Sequence, residues 1–241
     1  MVQEKVLEVK EITKLYKNNR GIKNVTLDVF RGDVFGFLGP NGAGKTTAMK
    51  IMTGLMKADS GNIKIFGHDI SEEFEKAMAK VGCIIETAQS YDYLTAYQNL
   101  KLALRYYKDI NLNRIDEVLE ITGISKYKKE KVKNFSLGMK QRLGIAQAIL
   151  SKPEIIILDE PLNGLDIEGM VEMRSIIKRL AEEEKATFFI SSHLVHDMEL
   201  TCNRVAIIYD GKIIRVENVS KILEDYSSLE NFFISEVDKS E

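Results

Sequence analysis

Net charge and cysteine are both scarce in this chain. Lys and Arg number 34 against 36 Asp and Glu, a formal charge of −2. No basic excess is available to neutralise a phosphate backbone, so no nucleic-acid partner is expected. The two cysteines, Cys83 and Cys202, lie far apart and without metal-ligand spacing. They suit a reducing compartment and structural thiols. No apolar run approaches the roughly 18 residues of a membrane span, so any membrane role goes through a partner chain. Residues 1–5 lack the apolar segment of a secretory signal. Proline occurs only as Pro40, Pro153 and Pro161.

What is present suits an ordinary globular chain. Hydrophobic residues make up 44% and charged residues 29% of 241 positions, enough for one large α/β domain or a domain with a lobe. Residues 24–30 alternate Val25, Leu27 and Val29 with polar neighbours, as a half-buried strand does. Residues 34–38 form a short apolar run, expected of a strand buried on both faces. A glycine-rich loop and a helix over 45–54 follow. Segments 63–66 and 81–85 read as short strands. From about 90 to 150 the period becomes helical: Leu100, Leu104 and Tyr107, then Ile115, Val118, Leu119 and Thr122, then 137–150. This predicts a helical lobe inserted between strands. Its KKEKVK run at 128–133 reads as a solvated face. Residues 155–158 form a second fully apolar strand, bracketed by Pro153 and Pro161. A helix over 168–184 and a strand over 187–190 come next. Asp210-Gly211 between two apolar runs signals a hairpin. Residues 227–241 read as a short helix with a frayed end.

Residues 39–47, GPNGAGKTT, match the phosphate-loop pattern G-x-x-x-x-G-K-[ST] after a buried strand and before a helix. Glycines let backbone N–H groups converge on phosphates, and a helix N-terminus adds positive potential. Gly39, Asn41, Gly42, Ala43, Gly44, Lys45, Thr46 and Thr47 are therefore the expected nucleotide contacts. Lys45 is expected at the β- and γ-phosphates, the Thr46 hydroxyl on Mg²⁺ and Thr47 at the α-phosphate. Asp159 and Glu160 end the apolar strand 155–158, where open α/β sheets place ligand chemistry. Asp159 is expected to hold Mg²⁺ through water, and Glu160 to act as general base on the attacking water.

Four further segments carry a family resemblance. FSLGMKQR at 135–142, NGLD at 163–166, SSH at 191–193 and the aromatic Tyr16 stand in the order found in ATP-binding-cassette (ABC) ATPase domains. The resemblance runs from about residue 5 to 216. It implies an α/β phosphate-loop fold with a mixed sheet core, an antiparallel β subdomain and the inserted lobe. The cassette would span 1–220 and a helical tail 221–241. It also implies that Tyr16 stacks on adenine, that His193 hydrogen-bonds the γ-phosphate and orients Glu160, and that Ser136 and Gly138 bind that phosphate in a second copy. Asp166 belongs to the segment resembling the D-loop, counted with the nucleotide-binding set. His68 and His196 are expected to be structural.

Two departures mark a subgroup. Leu137 and Met139 replace the usual Gly and Gln of the signature, and Glu86 stands where the family carries Gln. A carboxylate only accepts hydrogen bonds, so Glu86 is expected to touch Mg²⁺ or water. With YLTAYQNL at 93–100, these features resemble the ATPase subunits of bacitracin and lantibiotic self-protection exporters. The resemblance implies ATP and Mg²⁺ as cofactors and ABC-2-like permease subunits as partners. It places the chain at the cytoplasmic face of the cell membrane. The alternative is a soluble mechanical ABC ATPase, which long coiled-coil insertions, tandem cassettes or a basic surface would favour.

Overall fold

The computed structural model describes residues 3–18 and 20–240. Met1 and Val2, which begin the stretch read for a signal, and Glu241 of the expected frayed end lie outside the described residues. In chain order the strands are β1 (Lys5–Leu15), β2 (Gly21–Phe30), β3 (Val34–Leu38), β4 (Ser60–Ile65), β5 (His68–Asp69), β6 (Val81–Ile84), β7 (Ile155–Asp159), β8 (Thr187–Ser192), β9 (Arg204–Tyr209) and β10 (Lys212–Asn218). The helices are α1 (Lys45–Met52), α2 (Phe74–Met78), α3 (Ala96–Leu104), α4 (Asn113–Ile121), α5 (Leu137–Ala148), α6 (Ile167–Glu183), α7 (Val195–Thr201), α8 (Val219–Asp225) and α9 (Leu229–Asp238).

One sheet is antiparallel, in the order β2-β1-β4-β5. The other is mixed, in the order β10-β9-β3-β8-β7-β6, parallel except for the β9–β10 hairpin. Side chains on a strand alternate between faces, so the apolar runs of the mixed sheet supply two cores at once. Ile155 and Ile157 of β7, with Phe35 and Phe37 of β3, pack beneath α1 and the antiparallel sheet. Ile156 and Leu158, with Val34 and Leu38, face the core shared with α3 to α9. Every residue of β3, β7 and β8 is buried, which is why these strands read as continuous apolar runs.

The lobe is α3 to α5, lying between β6 and β7 in sequence. A capping box starts α3: the Thr95 side chain accepts from Gln98 N–H, and Gln98 Oε1 accepts from Thr95 N–H. The first helix of the lobe ends at Leu104, and Tyr107 falls beyond it, 39% exposed. Buried Arg114 of α4 donates to Ile149 O at 2.9 Å, tying α4 to the end of α5. In the 128–133 run the lysines are half-buried or exposed while Val132 is fully buried. Both cysteines are free; burial pushes the Cys202 thiol well above its usual range and keeps it protonated. No helix among the described residues is long and apolar enough to cross a membrane.

Candidate functional site: a nucleotide site at the strand tips

Parallel pairing aligns the carboxyl ends of neighbouring strands. Leu38 of β3 sits opposite Ser192 of β8, Asp159 of β7 opposite Ser191, and Ile84 of β6 opposite Leu158. This register draws the glycine loop, the acidic pair, His193 and Glu86 to one edge, the position where α/β sheets bind ligands. The glycines are required sterically as well as for flexibility. A Cβ on Gly39 would lie 2.3 Å from Ile208 O, and one on Gly44 would lie 2.5 Å from Ile22 Cγ2 with φ at +104°.

The charged groups form one connected set. Lys45, 6% exposed, donates to Gly39 O at 2.7 Å and Pro40 O at 3.1 Å. Its ammonium lies 3.1 Å from Glu160 Oε1, while Glu160 Oε2 lies 2.9 Å from His193 Nδ1. A nearly buried cation needs such a counter-charge. Buried Asp159 accepts the Ser191 hydroxyl proton at 2.6 Å and the Glu86 N–H at 3.3 Å. Ser191 Oγ also accepts the Glu160 N–H at 2.9 Å. Glu86 and Glu160 both adopt left-handed backbone, with φ of +64° and +49°. Such strain in residues bearing Cβ concentrates at functional sites. Tyr16, 42% exposed, places its hydroxyl 3.4 Å from Thr47 Oγ1 of the loop.

The donor set fits Mg²⁺. Thr46 supplies a hydroxyl and Asp159 a carboxylate, both hard oxygen donors. Among the described residues no three His, Cys, Asp or Glu side chains converge as a cage. Mg²⁺ calls for one or two carboxylates, with waters and substrate phosphates completing its shell.

Ser136, Gly138 and Asp166 are not part of that connected set. They line a separate cavity between α5 and the loop before α6. Ser136 caps α5 by accepting the Met139 N–H at 3.2 Å, and Asp166 caps α6 by accepting the Gly169 N–H at 2.9 Å. Leu137 packs over Gly164, and Gln141 Nε2 donates to Asn163 O at 3.1 Å, clamping the start of α5 to this loop. His68 pairs with Glu73 at 3.1 Å on the antiparallel sheet, away from the site. Ser191 and Lys50, which donates to Glu86 at 2.6 Å, escaped the sequence reading. Ser191 stood within the quoted SSH segment, and Lys50 lies four residues beyond Thr46 on one helix face.

Fold and site define an ATP-binding, ATP-hydrolysing domain of the phosphate-loop class. The chain belongs to the ABC transporter family, whose model matches residues 22–163. It is 44% identical over 209 residues to the bacitracin transport ATP-binding protein BcrA of Bacillus licheniformis, covering 87% of this chain and 68% of that protein. It is 38% identical over 232 residues to the lantibiotic transport ATP-binding protein SrtF of Streptococcus pyogenes, covering 96% of this chain and 97% of that protein. It superposes with TM-score 0.79 and 25% identity on a dimeric, post-hydrolysis state of the ATP-binding cassette MJ0796 bound to ADP and Pi. That match covers 88% of this chain and 98% of the solved chain.

Proposed function

We propose that this chain is the ATPase of a membrane exporter and works as a pair of copies that sandwich two ATP molecules. The observation that carries the reading is the division of the site. Lys45, Asp159, Glu160 and His193 form one connected set, while Ser136, Gly138 and Asp166 line another cavity. A second copy facing the first supplies its Ser136 helix start to the γ-phosphate held by this copy's glycine loop.

Within each copy the residues divide the work. The N–H groups of the loop from Gly39 to Thr47 cradle the phosphates, and Tyr16 stacks on the base. A triphosphate competes with Glu160 for the Lys45 ammonium, which frees the Glu160 carboxylate to accept a proton from water. His193 holds Glu160 in place and reaches the γ-phosphate. Thr46, Asp159 and Glu86 would hold Mg²⁺, which would supply charge neutralisation of the phosphates. Loss of the γ-phosphate removes the contacts that join the copies, and the pair loosens.

The relatives support a transport role. BcrA and SrtF are transport ATP-binding proteins for bacitracin and lantibiotics. This chain pairs with separate ABC-2-like permease subunits at the cytoplasmic membrane face, for antimicrobial peptides or drugs, as the sequence resemblance implies. The permease rides on the helical lobe, along the groove between Glu86 and Ser136. Gel filtration tests the sandwich. Glu160→Gln at saturating ATP should run as a dimer, and adding Ser136→Glu should return it to monomer. A Glu160→Gln chain that stays monomeric at saturating ATP rejects the sandwich.

A further inference from the structure

Three carboxylates stand beside a loop built for a polyanion. Two are held by groups already described: Asp159 by Ser191 and a backbone N–H, Glu160 by Lys45 and His193. Glu86 is different. Its side chain is 60% exposed, and its Oε1 lies 2.6 Å from Lys50 Nζ. Neighbouring cations are committed elsewhere, Lys45 to Glu160 and Lys140 to Asp92. Lys50 shares a face of α1 with Thr46, at i and i+4. The Glu86 backbone N–H meets Asp159 at the same time, so this residue touches both the metal-side carboxylate and the helix that follows the loop.

We propose that Lys50 is a positioning residue of the nucleotide site. It holds the Glu86 carboxylate on the Thr46 face of α1 and screens it from an incoming triphosphate. It then gives the carboxylate up to Mg²⁺ when metal and nucleotide bind together. A bare carboxylate here repels phosphate, whereas an ion-paired one is close to neutral at a distance. The pairing explains how this chain carries Glu where a neutral Gln needs no counter-ion. The proposal rests on the reading of Glu86 as a metal-side group.

The test is equilibrium binding of a fluorescent ATP analogue, first in EDTA and then across a Mg²⁺ titration. It compares the native chain with Lys50→Met, Lys50→Arg, Glu86→Gln and the Lys50→Met/Glu86→Gln double variant. Lys50→Met should weaken binding in EDTA by roughly five- to tenfold, the scale of coupling between contacting charges. The same variant should need less Mg²⁺ to recover tight binding, because its carboxylate is free for the metal. The double variant should bind like Glu86→Gln alone, and Lys50→Arg should keep the native profile. A Lys50→Met loss of equal size in the Glu86→Gln background overturns the proposal, since Lys50 then attracts the phosphates by itself. A Mg²⁺ dependence untouched by Glu86→Gln overturns the underlying metal-side reading instead. A misfolded Lys50→Met chain would not be restored by a second substitution, so recovery in the double variant separates charge from folding.

Discussion

Glu160 shows how much one residue carries. It follows a fully buried strand, adopts left-handed backbone, and divides its two oxygens between Lys45 and His193. The acidic pair itself does not signal the Lys45 bond, whereas the family resemblance implies that His193 orients Glu160. Glu160→Gln should keep ATP binding and cut turnover by about 10²-fold or more, the scale of losing a positioned base. Steady-state phosphate release checks this, and native turnover in that variant removes Glu160 from the base role. Ser191 marks the limit of motif reading at this scale. A serine inside an apolar strand has no sequence signature for the carboxylate it meets across a parallel ladder, here Asp159 at 2.6 Å.

Elements were legible in proportion to their regularity. Strands β3, β7 and β8 are buried on both faces and stood out as apolar runs. Strand β1 did not. Its pairing with β2 shifts register between Val9 and Lys14, and Glu11 has φ of +53°, so the period-two pattern breaks inside the strand. The residues beyond 220, expected from sequence as a helical tail, form helices that share the main core. The 220/221 boundary falls within α8, whose Val219 and Ile222 are buried. Leu229 and Phe232 of α9 are buried too, and Glu199 of α7 accepts the Leu229 N–H at 2.6 Å. Leu229, at 0% exposure, sits among these residues. Leu229→Ala should therefore cost about 2–5 kcal/mol of stability, measured by urea unfolding. A loss well below 1 kcal/mol would mean that α9 unfolds separately from the cassette.

At the scale of the whole molecule, the proposed sandwich completes each of the two half-sites with a second copy of the chain. No helix among the described residues is long and apolar enough to cross a membrane. The exporter reading therefore predicts that the tagged chain, expressed with its neighbouring reading frames, co-purifies from detergent-solubilised membranes with an apolar polypeptide. Recovery solely from the soluble fraction, with no such companion, would favour a mechanical ATPase acting in solution.

Local chemistry determined much of this protein from sequence alone. A glycine-rich cradle, a lysine and a hydroxyl are contiguous, an acidic pair ends its own apolar strand, and each motif depends on backbone conformation within a few residues. Tertiary structure decided which distant side chains meet. The pairings of Lys45 with Glu160, Ser191 with Asp159 and Lys50 with Glu86 span 115, 32 and 36 positions. Strand order and register bring them together, and those depend on the packing of two cores across one sheet. No local pattern encodes that packing.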